Sequence, residues 1–312
     1  MPLVSVVMLS YNNEKFTAEA IESVLGQDFD DFELIIVDDA STDSSRQIIQ
    51  KYAAEDPRIR VILHKANCGI AKTANDGNDR ATGDFLGCIA SDDIWMKDKL
   101  SKQLAVLESN EDLIIWTEGE VIDERGTPMG KSFSELIGSV SEKKSGDVFR
   151  ELLERTHVFG STMLYKRVNQ GDIRYDERLK YANDWKFELD LAAKYEFHYI
   201  AEPLAHYRIH ADNTWGGKPP NLEKRLAYHQ ERIFVLKCAL RQYRHRMSAE
   251  TKATLLERLG FSYYELGQNR KALTDYLLAI THSPFRKSNL QYPRRFLQFM
   301  RNALSLELKE RK

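Results

Sequence analysis

Gly83-Asp84-Phe85-Leu86-Gly87-Cys88-Ile89-Ala90-Ser91-Asp92-Asp93-Ile94-Trp95 decides how the rest of this 312-residue chain is read. A Gly-Asp turn opens the stretch, an apolar run suited to a buried strand follows, and the run ends in two adjacent carboxylates with a tryptophan beyond them. Carboxylates at the carboxyl end of a strand suit a hard cation that keeps part of its coordination free for phosphate oxygens. The pair therefore reads as a metal-diphosphate site. The competing reading is a solvated turn, or an N-cap for a helix over 95–108. Only the company of these residues separates the two.

Upstream, one unit repeats. Residues 3–10 are a β-branched run that leads into Tyr11-Asn12-Asn13, after which Phe16, Ala20, Ile21, Val24 and Leu25 recur at helical spacing. Phe32-Glu33-Leu34-Ile35-Ile36-Val37 is a second strand. It delivers Asp38-Asp39-Ala40-Ser41-Thr42-Asp43 at its carboxyl end, ahead of a helix carrying Ile48, Ile49 and Tyr52. Arg60-Val61-Ile62-Leu63 is a third, followed by Asn67-Cys68-Gly69-Ile70-Ala71-Lys72 and a helix to Ala81. Such alternation predicts an α/β fold, a mostly parallel sheet with helices on both faces and right-handed crossovers. Ligands of these sheets sit outside the carboxyl ends of the strands, so Tyr11, Asp38, Asp39, Lys72, Asp92 and Asp93 are expected in one crevice. No Gly-x-Gly-x-x-Gly follows the first strand and no phosphate loop with Gly-Lys-Ser/Thr is present. Phosphate then has to be held by a cation and basic side chains.

Composition admits this reading. A hydrophobic content of 42% with 29% charged residues is that of a soluble globular protein. Cys68, Cys88 and Cys238 have neither zinc-ligand spacing nor a disulfide pattern, which points to a reducing, cytoplasmic compartment. The first ten residues are apolar but lack a basic leader and are too short to span a bilayer. The net charge of −2 conceals an asymmetry: residues 1–220 hold 26 Lys and Arg against 39 Asp and Glu, whereas 221–312 hold 19 against 8. A basic tail on an acidic body implies a partner for the tail, an anionic membrane surface or a protein. Nucleic acid is disfavoured because the tail has no recognised reading motif.

The segment Val4–Asn12, the run Val37-Asp38-Asp39-Ala40-Ser41-Thr42-Asp43, Asn67-Cys68-Gly69 with Asn75-Asp76-Gly77, and Gly83-Asp84 leading to Ser91-Asp92-Asp93 together resemble the family 2 glycosyltransferases over residues 3–215. That resemblance implies the GT-A fold, a Rossmann-like sheet. It also implies transfer of a sugar from a nucleotide-diphosphate donor, UDP by family habit, with inversion at the anomeric carbon. By the same likeness Ser10, Tyr11, Asp38, Asp39, Lys72 and Asp92 bind the donor nucleotide, with Asp39 on the nucleobase edge and Asp92 on the ribose, while Asp93 holds Mn²⁺ or Mg²⁺. Many members carry one more Asp in the Asp92-Asp93 motif, where this chain has Ala90, leaving Asp93 as the sole firm metal ligand there.

Downstream, a helix over Leu100, Leu104 and Leu107 and a strand Leu113-Ile114-Ile115-Trp116 continue the pattern. Residues 118–148 read as hairpin and loop, and Gly160–Lys166 as another strand. In Tyr181-Ala182-Asn183-Asp184-Trp185, Asp184 stands at a helix start, where Asn183 or Asp184 as a plain cap is the alternative. The resemblance makes Asp184 the catalytic base, with Asn183 in place of the family's usual Glu. His206-Tyr207-Arg208-Ile209-His210-Ala211-Asp212-Asn213 resembles the family's closing segment. It puts Arg208 and His210 on the leaving diphosphate, with His210 as an additional metal ligand. A lone histidine here is otherwise a structural residue.

These readings divide the chain into a 1–218 GT-A domain, with a nucleotide half over 1–117 and an acceptor half over 118–218, and a basic all-α extension over 219–312. The extension carries a tetratricopeptide-like hairpin near 252–284 and a basic amphipathic helix from Pro293 to Leu308 that docks on the tail's own core or lies on a bilayer. Trp215-Gly216-Gly217 before Pro219-Pro220 reads as a hinge. The implied acceptor is a surface glycan or polyprenyl-linked saccharide at the cytoplasmic membrane face. The alternative is a scaffold that binds sugar nucleotides and whose chemistry has decayed at Ala90 and Asn183.

Overall fold

The computed structural model describes residues 1–139, 144–213 and 221–283. The chain divides into two compact units, Met1–Pro219 and Pro220–Lys312.

The first unit begins as three strand-helix repeats: β1 (Val4–Ser10), α1 (Thr17–Leu25), β2 (Phe32–Asp38), α2 (Ser45–Glu55), β3 (Ile59–Leu63) and α3 (Ile70–Arg80). The apolar run after Gly83-Asp84 is β4 (Phe85–Ala90), followed by the two-residue β5 (Ile94–Trp95) and α4 (Lys99–Leu107). Trp95 is thus a strand residue and the helix expected from it starts four positions later, because β5 pairs with a later strand through Ile94 and Trp95. Then come β6 (Ile114–Ile122), β7 (Pro128–Ser132), α5 (Phe133–Leu136), α6 (Phe149–Glu154), β8 (Leu164–Lys166), α7 (Arg167–Gln170), α8 (Asn183–Ala192) and β9 (Phe197–Arg208). One sheet takes them in the order β3-β2-β1-β4-β8-β6-β9-β5, with β7 paired to β6. It is mixed but parallel over most of its paired length, since β1, β2, β3 and β4 run together and β6 runs with β9. The strand expected over 160–166 starts only at Leu164; Gly160–Thr162 is a 3₁₀ turn, closed by Thr162 Oγ1 donating to Phe159 O at 2.7 Å.

The core sits on the central strands. Every side chain of β2 is buried, and so are Val4, Val6, Val7 and Met8 of β1, as expected of parallel strands covered on both faces. Helix α3 lies so close to β1 that a Cβ on Gly77 would collide with Val7. Register does the rest. Ser10 stands opposite Asp38 and Leu9 opposite Ala90, so β1, β2 and β4 end level and release their loops at one edge.

The second unit is all-α: α9 (Leu222–Gln242), capped by the Asn221 side chain, α10 (Ala249–Glu265), capped by Ser248, and α11 (Asn269–His282). Helices α10 and α11 form an antiparallel hairpin that Gly260 allows to close, since a Cβ there would stand 3.1 Å from Ala272 O. The proposed hinge at 215–220 and the basic helix at 293–308 lie outside the described residues. No described helix is long and apolar enough to cross a membrane.

Candidate active site

Three strand ends are locked to one another. From the loop after β1, Asn12 N–H donates to Ser41 Oγ (2.9 Å), Asn13 N–H to Ser45 Oγ (3.0 Å) and Asn13 Nδ2 to Ser91 Oγ (2.9 Å), which ties it to the ends of both β2 and β4. Two non-glycine residues here, Asn12 (φ 51°) and Ala40 (φ 64°), occupy the left-handed region. A side chain on Cβ makes that conformation unfavourable by about 1–2 kcal/mol, and it persists because the surrounding bonds determine it.

At the end of β2, Asp39 is buried and accepts three hydrogen bonds. The Cys68 and Gly69 amides donate to Oδ1 (2.7 Å) and Oδ2 (2.8 Å), and His64 Nδ1 donates to Oδ1 (2.8 Å). Gly69, at φ 85°, turns two successive amides toward the carboxylate. His64 Nε2 lies 3.1 Å from Asp76 Oδ2, and the other Asp76 oxygen takes the Lys72 ammonium. Asp38 points elsewhere: its Oδ1 accepts from the Ser41 amide (3.0 Å) and Arg46 Nε (2.6 Å). Asp38 Oδ2 and the neighbouring Ser10 Oγ are buried without a hydrogen-bond partner among the described residues. Tyr11 is 47% exposed at the lip.

At the end of β4, Asp93 is buried. Its Oδ2 accepts from Ser161 Oγ at 2.5 Å and its Oδ1 from the Arg208 amide at 3.2 Å. Burial and the charge of Asp92 hold the Asp93 carboxyl well above the usual carboxylate range, against the opposing pull of Ser161 and Arg208. Asp92 is held by His210, whose Nε2 donates to Oδ2 at 3.0 Å while its Nδ1 accepts from the Asp212 amide at 3.4 Å. The Arg208 guanidinium is enclosed. It bonds Asp92 O through Nε (3.0 Å) and Glu19 Oε2 through NH2 (2.5 Å), and lies over the Phe16 ring at 4.9 Å. Its charge therefore braces the Asp92-Asp93 corner from behind.

Asp184 lies in the first turn of α8, exposed, with Oδ1 accepting from the Trp185 amide at 2.6 Å; the cap position itself is Ala182 and makes no side-chain bond. Asn183 faces inward and donates to Lys180 O at 3.2 Å. One turn along, Glu188 is buried beside Thr156, and burial together with the Asp184 charge keeps its carboxyl well above the ordinary range. Burial first, then the charges of Asp93, Asp92 and Asp184, push the Tyr207 phenol upward.

The sequence profile described as Glycosyl transferase family 2 matches residues 5–212. The chain belongs to this family. Among relatives of this family 2 glycosyltransferase, TuaG of Bacillus subtilis, named for teichuronic acid biosynthesis, is 33% identical over 209 residues, 67% of this chain and 79% of TuaG. The uncharacterized glycosyltransferase MJ1057 of Methanocaldococcus jannaschii is 34% identical over 212 residues, 67% of this chain and 71% of that protein. The fold is shared with S. aureus TarS 1-349 in complex with UDP-GlcNAc, at TM-score 0.65 and 21% identity over 90% of this chain and 82% of that one. It is also shared with the mannosyltransferase PcManGT of Pyrobaculum calidifontis, solved with GDP-Man and Mn²⁺, at TM-score 0.58 and 16% identity over 98% and 81%. The GT-A architecture expected from sequence, with its helical extension, is the one observed.

Sequence reasoning passed over four residues of this family 2 site. His64 directly follows β3, and the rule that polar residues at carboxyl strand ends face the crevice would have flagged it. Ser161 was read as part of a strand. Tyr207 lies within the closing segment quoted above, and Glu188 carries no local signal, since only the fold brings it beside Thr156.

Proposed function

We propose that this enzyme transfers a sugar, with inversion, from a UDP-sugar to a hydroxyl of a surface glycan or lipid-linked saccharide, with Asp184 as base and Asp93 as the metal ligand. The observation that carries the reading is the buried, hydrogen-bonded Asp92-Asp93 corner at the end of β4, in the same unit as the exposed Asp184 carboxylate in the first turn of α8.

The donor set fits a divalent cation. Asp93 is a buried carboxyl whose pKa burial and the Asp92 charge raise, and its oxygens are hard ligands. Mg²⁺ and Mn²⁺ sites of this kind take one or two protein carboxylates and complete their shell with phosphate and water. Bound there, Mn²⁺ or Mg²⁺ would neutralise the diphosphate as it leaves. Ser161 and the Arg208 amide hold the Asp93 oxygens in place, and His210 does the same for Asp92.

Asp184 is suited to proton removal. Two carboxyls one helical turn apart meet different surroundings: burial raises the Glu188 carboxyl well above its ordinary range, whereas Asp184 is exposed in the first turn of α8, where the helix terminus favours negative charge. In the transfer, Asp184 takes the proton of the acceptor hydroxyl, the hydroxyl oxygen bonds to the anomeric carbon, and the bond from that carbon to the phosphate oxygen breaks. The nucleoside diphosphate leaves with the electron pair. A uracil donor is supported by the single acceptor that Asp39 keeps free and by the UDP-GlcNAc bound in the structural neighbour. The acceptor class follows the naming of TuaG.

The test is nucleoside diphosphate release by purified protein over a panel of UDP-sugars with Mn²⁺. Asp184→Asn should lower kcat by about 10²–10⁴-fold, the usual contribution of a general base, with UDP affinity unchanged. Unchanged turnover in this variant refutes the base, and metal-dependent UDP binding with no turnover in the unmutated protein would favour the scaffold reading.

A further inference from the structure

Asp39 offers an acceptor count that bears on which nucleobase it receives. An ionised carboxylate has about four lone-pair positions. Among the described residues three are taken: Oδ1 accepts from the Cys68 amide and from His64 Nδ1, and Oδ2 from the Gly69 amide. One remains, on Oδ2. The two amides belong to the backbone and are fixed by the Gly69 turn. The third donor is a side chain and is itself held at its far end, where His64 Nε2 meets Asp76, whose other oxygen is engaged by Lys72. The imidazole is thus a strut from α3 to the Asp39 carboxylate, with its own side chain only 10% exposed.

We propose that His64 is the specificity-determining residue for the nucleobase, because it fixes the Asp39 carboxylate with a single acceptor open to the ligand. This rests on the reading of Asp39 as the nucleobase contact. A single acceptor matches a base that presents one ring N–H between two carbonyls, as uracil and thymine do. Guanine presents a ring N–H beside an exocyclic amino group and calls for two adjacent carboxylate oxygens. Without the imidazole, the two amides still hold the carboxylate but Oδ1 regains a lone pair, so both oxygens offer an acceptor to the base. His64 then acts by exclusion as well as by positioning. Lys72 and Asp76 enter the same chain of contacts and tune the site through His64.

The experiment is calorimetric titration of UDP, dTDP, GDP and ADP, with Mn²⁺ present, into the full chain and into His64→Ala and His64→Asn. The amide nitrogen of asparagine reproduces the position of Nδ1, so His64→Asn keeps the bond to Asp39 and loses only the one to Asp76. The unmutated protein is expected to prefer UDP and dTDP to GDP. In His64→Ala the UDP-to-GDP affinity ratio should fall by about tenfold, the order expected when a hydrogen bond to a charged group is lost. His64→Asn should restore most of it. An unchanged ratio in His64→Ala overturns the role of His64 and leaves the donor reading standing. If the unmutated protein binds none of the four, the donor reading itself fails. A role of His64 in stability alone would weaken all four nucleotides equally, or lower Tm without moving the ratio, and would also overturn the proposal.

Discussion

Replacing Ser161 by alanine tests the metal reading through a residue that never touches the metal. Its hydroxyl donates to Asp93 Oδ2 at 2.5 Å, and the only other bond to that carboxylate among the described residues is the Arg208 amide at 3.2 Å. Both bonds favour the ionised form, which burial and Asp92 oppose. A hydrogen bond to a charged group contributes about 1.5–3 kcal/mol, and every 1.4 kcal/mol is a factor of ten in affinity. Ser161→Ala should therefore weaken Mn²⁺ binding by about 10–100-fold, the usual range when a bond supporting a metal ligand is removed. Ser161→Thr, which keeps the hydroxyl, should stay near the unmutated value. Titrating Mn²⁺ into protein saturated with UDP measures it. If Ser161→Ala binds Mn²⁺ as the unmutated protein does while Asp93→Asn does not, the hydroxyl has no part in the site. If Asp93→Asn also binds normally, the metal is held elsewhere.

Two further outcomes are expected. Glu188 keeps its proton in the fold and loses it in the unfolded chain near the ordinary value of 4.5, so above that value the unfolded state holds fewer protons and stability falls as pH rises toward the folded-state pKa. Glu188→Gln should remove that loss, with melting points nearly equal to the unmutated protein at pH 4 and higher at pH 8; a gap independent of pH would refute it. Cys68 is exposed and its amide bonds Asp39, so UDP with Mn²⁺ should slow alkylation of Cys68, mapped by mass spectrometry, and leave Cys238 unaffected. Equal labelling with and without nucleotide would place the base away from Asp39.

Much of the candidate site was legible because parallel strands bring it to one edge by register alone. Once β1, β2 and β4 are known to run together, Asp39 and Asp92-Asp93 emerge at the same edge, on either side of β1. The same logic misjudged Trp95 and Gly160–Thr162. There the backbone follows long-range partners, β9 for Trp95 and Asp93 for Ser161, which no local pattern encodes.

The sequence by itself determined the strand-helix alternation, the buried faces and the carboxylates at the strand ends, since these depend on periodicity and on which residues leave water. Only the tertiary structure decided what each carboxylate meets. It gave Asp38 to Arg46, Asp39 to His64 and two amides, Asp92 to His210, and Arg208 to Glu19 and the Asp92 carbonyl. The direction of each of these Asp carboxylates depends on donors from residues 8 to 118 positions away, and that distance is closed by folding.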